Sequence, residues 1–131
     1  EELEILKRLD VEINLESSEA DHPVAVEGLI GYNLKGDPRP PFDRMIEEIN
    51  SYETVVSIDI ASGLDADTGE RAEPYVRPDC TVTLAAPFEG MSEENSGKVF
   101  VADIGVPPEA FEEFGFTGDF FSDRSFVEPD L

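Results

Sequence analysis

Leu3, Leu6 and Leu9 recur at helical spacing, so the pattern predicts a chain opening in the last turns of a helix. Val11, Ile13 and Leu15 alternate with polar residues, the period of a strand with one buried face. The polar stretch Glu16 to Pro23 reads as a loop, with His22 solvated among acids rather than poised as a ligand. Val24 to Ile30 is a short apolar strand interrupted by Glu27. It runs into Gly31-Tyr32-Asn33-Leu34-Lys35-Gly36-Asp37-Pro38, a loop punctuated by glycine, asparagine and proline. Pro40 and Pro41 suit a helix start. Phe42, Met45, Ile46 and Ile49 then form an apolar stripe, with Asp43, Arg44, Glu47 and Glu48 on the other face. Thr54 to Ile60 is β-branched and nearly continuous, which suits a strand buried on both faces of a parallel sheet. Strand, helix and strand at this spacing predict a βαβ unit. A long loop, Ala61 to Pro78, follows, and Cys80 to Ala86 and Lys98 to Ile104 are two further strands. Pro107 to Phe114 can form a short helix, and the acidic, aromatic remainder is expected to pack back on the domain.

With 131 residues there is room for one domain and one core. Apolar residues make up 40% of the chain, enough to argue against disorder. The charge is extreme: 31 acids against 9 Lys and Arg leave −22. Nucleic-acid binding is excluded, because that affinity comes from cations displacing phosphate counterions, and so is binding to an anionic membrane surface. No apolar run reaches the roughly 20 residues of a membrane span. The single cysteine, Cys80, allows no internal disulfide, which fits a reducing compartment and a cytoplasmic location. With one histidine and one cysteine, no His-rich or four-cysteine metal centre can form. The acids are spread over every segment rather than gathered in a tail. That favours a halophilic surface, whose self-repulsion salt screens, over an acidic partner-binding face. The chain begins at Glu1 within an apparent helix, so it is read as a piece of a longer protein whose sheet lacks its first part.

In an open parallel sheet, ligands bind beyond the carboxyl ends of the strands. Two loops qualify, Gly31 to Pro38 and Ala61-Ser62-Gly63. Asp59 interrupts an apolar strand just before the second. A carboxylate there is costly unless something binds it, and the competing reading is a turn cap that accepts backbone N–H groups. Glu27 poses the same question, its bland reading being a strand-edge residue facing water. Taken with Ser62, it offers the oxygen ligands that hard cations choose. Asp65-Ala66-Asp67-Thr68-Gly69-Glu70 fails the calcium-loop test, since glycine is not sixth and position twelve is Val76; a solvated turn is expected. Lys35, Arg39 and Arg44 gather near the first loop, either to bind an anion or to pair at a helix start.

The segments SIDIASGLDADTGE around Asp59, VEGLIGYNLKGDPR, PDCTVTLAAP and GKVFVADIGVP resemble the NAD(P)H-hydrate epimerase family (the YjeF N-terminal domain), in order, over Val24 to Pro107. The resemblance implies an α/β fold, a Rossmann-like three-layer sandwich with a mainly parallel sheet, and makes residues 1–131 a partial domain of that kind. It implies epimerisation of the R and S forms of hydrated NADH and NADPH, in repair of nicotinamide cofactors. Carried over by position, the catalytic and substrate-contacting aspartate falls on Asp59. The substrate-binding loop falls on Gly31, Tyr32, Asn33, Leu34, Lys35, Gly36 and Asp37, and the ligands of a potassium ion fall on Glu27 and Ser62. A homodimer and a fused or separate NAD(P)HX dehydratase are the partners it suggests.

Departures from the family pattern are specific. Glu27 stands where the family usually has Asp, which leaves open whether the ion sits differently or is absent. The family's Gly-Thr-Gly turn is Gly31-Tyr32-Asn33 here, where asparagine tolerates left-handed backbone. A usual proline is Ala61, and a common lysine is Phe88. The family's Asn-Asn-Gly-Gly-Asp-Gly loop would lie upstream of Glu1. A non-catalytic ligand-binding or scaffolding module of the same fold therefore stands beside the enzyme reading, since fold does not fix function. An acidic interaction domain is a third reading, motivated by charge alone.

Overall fold

The computed structural model describes Ile5, Arg8, Leu9, residues 23–112, Phe121, Ser122 and residues 124–131. Of the expected opening helix, one helical bond is described, from the Leu9 N–H to the Ile5 carbonyl at 3.1 Å. The expected strand over 11–15 and the loop carrying His22 lie outside the described residues.

One five-stranded sheet organises the rest: β1 (Val24–Glu27), β2 (Thr54–Ile58), β3 (Cys80–Leu84), β4 (Lys98–Ala102) and β5 (Phe126–Val127), side by side in that order. β1 to β4 pair in parallel and β5 runs antiparallel to β4. Among the described residues three helices accompany it: α1 (Phe42–Ile49), α2 (Glu93–Ser96) and α3 (Pro108–Glu112). This is an α/β fold. No helix among the described residues is long and apolar enough to cross a membrane.

The strands differ from expectation at their ends and on one face. β2 and β3 stop at Ile58 and Leu84, two residues short of the expected strand ends at Ile60 and Ala86. Each is broken by a three-residue turn: Ile60 N–H reaches the Ile58 carbonyl at 2.9 Å around Asp59, and Ala86 N–H reaches that of Leu84 at 2.8 Å around Ala85. The central residues hold φ of 70° and 66°, left-handed backbone that non-glycine residues rarely adopt. β2 is also not buried on both faces. Val55 and Ser57 are buried, whereas Ile58 belongs with Val24, Val26, Leu84 and Phe126 among the exposed apolar residues.

The buried row is unusually polar. Register aligns Glu27 with Ser57, Ser57 with Thr81, and Thr81 with Val99. Thr81 and Thr83 point inward, where hydrophobic residues would be expected. Their hydroxyls donate to the Ser96 carbonyl at 2.6 Å and the Ala86 carbonyl at 3.1 Å. No described buried side-chain polar atom lacks a partner, so the desolvation cost of this row is met.

The 59–79 connection joins parallel strands without a helix. Its part from Ala61 to Pro78, expected as a loop, supplies much of the core: Ala61, Leu64, Ala66 and Val76 are buried, with Ile60 just before them, Ile46 of α1 and Val55 of β2. An antiparallel bridge pairs Leu64 with Arg71, and Asn50, just after α1, clamps the far side. Its Nδ2 donates to the Tyr75 carbonyl at 2.9 Å and its Oδ1 accepts the Arg77 N–H at 2.8 Å. Gly63 is required here: at φ 97°, an added Cβ would lie 2.8 Å from the Tyr75 Cβ and 2.9 Å from its Cα.

α2 and β5 were not anticipated. α2 is a single turn set by a capping box between Ser92 and Asn95. β5 brings the tail back onto β4, as the aromatic remainder suggested.

Candidate functional site

The carboxyl ends of β1, β2 and β3 lie side by side, so Glu27, the Asp59 turn and the Ala85 turn share one edge of the sheet. Asp59 is half-buried at the middle of this edge. Its N–H donates to the Val82 carbonyl at 2.8 Å. Its Oδ1 accepts the Leu84 N–H at a long 3.3 Å, and its other carboxylate oxygen has no partner among the described residues. Asp59 is therefore not a cap of its own loop. The single bond it accepts crosses to β3, and its strained backbone costs on the order of 1–3 kcal/mol. Strain of this kind persists where neighbours over-determine a residue, and it concentrates at functional sites.

The neighbours here converge on Glu27, which is 3% exposed. Ser57 Oγ donates to Oε1 at 2.5 Å and Ser62 N–H at 3.1 Å, while Ser62 Oγ donates to Oε2 at 2.6 Å and Leu29 N–H at 3.1 Å. Ser62 Oγ also accepts the Ile30 N–H at 2.9 Å, tying the loop after β1 to the loop after β2. Glu27 thus faces inward and is not an edge residue facing water. Ser57 was missed by sequence reasoning, because a serine inside an apolar run carries no signal until sheet register sets it opposite Glu27.

Whether Glu27 and Ser62 suit a potassium ion can be judged from their donors. A carboxylate has about four lone-pair sites, and four protein donors fill them, two on each oxygen. The Ser62 hydroxyl spends its proton on Glu27 and a lone pair on Ile30. This arrangement does not fit the ion. Among the described residues no group of three or more His, Cys, Asp or Glu is disposed to hold a metal either.

The 31–37 loop frames two hollows. One, of about 420 Å³, is lined by Ile30 to Lys35; the other, of about 230 Å³, lies between Leu34, Gly36 and Asp37 on one side and residues 63–65 and 70–72 on the other. Asp59 lines neither. Tyr32, 61% exposed, stacks on Phe88 with ring centroids 6.5 Å apart, forming an aromatic wall between the loops after β1 and β3. Both residues are departures from the family pattern, and they depart together. Asp37 is structural: its Oδ1 accepts the Glu73 N–H at 2.9 Å. Lys35, Arg39 and Arg44 are exposed and in no ion pair among the described residues, so the helix-start pairing is not seen. The 65–70 segment is the expected turn. Asp65 Oδ1 accepts from Thr68 N–H, Thr68 Oγ1 and Asp67 N–H, and these bonds, led by the Thr68 N–H, hold its carboxyl below the usual aspartate range.

Fold and site together define an α/β domain with a strained acidic residue and two flanking loops at the carboxyl edge of a parallel sheet. The family described as YjeF-related protein N-terminus matches residues 1–90, and the chain belongs to it. The bifunctional NAD(P)H-hydrate repair enzyme Nnr of Hyperthermus butylicus is 36% identical over 82% of this chain and 22% of its own length. The NAD(P)H-hydrate epimerase of Dehalogenimonas lykanthroporepellens is 36% identical over 79% of this chain and 42% of its own. That of Cenarchaeum symbiosum is 41% identical over 65% and 41%. The chain thus spans from about a fifth to two-fifths of these relatives. The crystal structure of yeast ynu0 shares the fold, with a TM-score of 0.64 at 23% identity over 79% of this chain and 45% of that one.

Proposed function

We propose that the complete protein epimerises the hydrated forms of NADH and NADPH, with Asp59 as the acid and base. The relatives named for that activity support this reading, and the observation that carries it is the strained Asp59 at the central strand end, with one oxygen that has no partner among the described residues. The substrate carbon bears a hydroxyl and a ring nitrogen. Asp59 gives its proton to the departing hydroxyl, which leaves as water, and the nitrogen lone pair stabilises the cation. The carboxylate then takes a proton from the water that adds to the opposite face, restoring the acid. One group alternating in this way suffices. The Gly31–Asp37 loop and the Tyr32–Phe88 wall border the place where the substrate would lie.

The Tyr32–Phe88 stack also favours a second reading, a module that binds a planar ligand without turning it over. The ratio of the two epimers, followed by chromatography with and without the complete protein, separates the two. Accelerated approach to the equilibrium ratio is expected. Binding without acceleration would establish the second reading instead.

A further inference from the structure

We propose that the Glu27 carboxylate organises this site in place of a bound cation, so that the protein holds its Asp59 turn without potassium. A cation between these strand ends would draw carbonyl oxygens and lone pairs toward itself. Here the polarity is reversed. Two N–H groups, of Leu29 and Ser62, and two O–H groups, of Ser57 and Ser62, point at one centre, and that centre is the Glu27 side chain. The Ile30 carbonyl also lies 3.3 Å from Ser62 Oγ. Glu27 has no ion pair among the described residues, where its partners are these hydrogen-bond donors.

The position of those donors gives the carboxylate its purpose. Ser57 and Ser62 are fully buried and bracket Asp59, two residues before it and three after. Both ends of the arc are fastened to the same side chain, across the strand boundary from β1. The Asp59 N–H is held separately by Val82 of β3. Fastened at both ends and at its middle, the arc has no room to relax the left-handed residue. Glutamate reaches both serines because it is one methylene longer than aspartate, which would leave one side of the donor ring unfilled. Glu27 is by this account a positioning residue, acting through Ser57 and Ser62 on Asp59.

Two measurements on the full-length wild-type protein do not depend on the epimerase reading. Melting is compared in potassium chloride and in choline chloride at equal ionic strength, and crystals soaked in thallium(I), a potassium substitute, are examined by anomalous diffraction. Equal melting temperatures and no thallium peak beside Glu27 and Ser62 are expected; a potassium-specific rise or a peak there would overturn the proposal. The third measurement rests on that reading: Glu27→Gln keeps size but turns an NH₂ against two donors. Its kcat should fall by about 10²-fold, the effect of displacing a reacting group by about an ångström, with KM changed less than about threefold. Glu27→Asp, which keeps the charge, should recover part of the loss. A folded Glu27→Gln protein with unchanged kcat would overturn the positioning role and leave the epimerase reading standing.

Discussion

Replacing Asp59 by glycine should make the protein more stable and inactive at once. Asp59 holds φ at 70°, and relief of that strain by glycine contributes about 1–3 kcal/mol. Against it stands the larger freedom of glycine in the unfolded chain, about 0.4–1 kcal/mol. The lost acceptor for the Leu84 N–H takes away little more, because that bond is long at 3.3 Å and exposed to water. The remainder is a gain of about 1 kcal/mol in the free energy of unfolding. Asp59→Ala keeps the strain and loses the acceptor, so it should melt below the wild type. Asp59→Asn should lie near the wild type, because asparagine tolerates this backbone and still accepts from Leu84. All three should lose epimerisation. Denaturant melts of the complete protein, beside the epimer-ratio assay, read both quantities on the same samples. A glycine variant less stable than the alanine variant would refute the strain argument, whatever happened to the rate.

Gly63→Ala drives a Cβ to 2.8 Å from that of Tyr75 at a φ of 97°; a loss of about 3 kcal/mol or more is expected in denaturant melts, among the large single-site effects. Asp65 contributes stability that is fully present above the ordinary aspartate pKa of 3.8 and is lost as pH falls through its lowered folded value. Asp65→Asn should flatten that acid limb in melts followed below pH 4, and an unchanged limb would contradict the assignment. With −22 on the chain, Tm should rise between low and molar salt, as the Debye length contracts to about 3 Å at 1 M. A Tm indifferent to salt would count against the halophilic reading of the surface.

The βαβ core was legible because its signals are periodic. Phe42, Met45, Ile46 and Ile49 mark α1, and the β-branched run marks β2. Glu27 and Asp59 were also legible, as charges standing where apolar residues belong. What each charge does depends on distant partners. Sheet register alone sets Ser57 against Glu27, and nothing local in the chain shows that Thr81 and Thr83 turn inward to bond backbone carbonyls. The Ala85 turn was hidden because alanine disfavours positive φ and is held there by the sheet edge, through its N–H to the Ala102 carbonyl at 3.0 Å. The stretch Ala61 to Pro78 read as a loop because its glycines and acids mask the buried Leu64, Ala66 and Val76 between them. α2 and β5 are too short for any period to show.

The central claim is that Asp59 moves the proton, and one measurement bears on it most directly. The complete protein and its Asp59→Asn variant are brought to the same folded concentration, and the rate at which each interconverts the two epimers of hydrated NADH is recorded. Asparagine preserves size, turn geometry and the contact with Leu84 but has no proton to give and no carboxylate to take one. The variant should be slower by about 10²- to 10⁴-fold, the usual contribution of a positioned acid and base. A folded variant that interconverts the epimers as fast as the wild type would contradict the account.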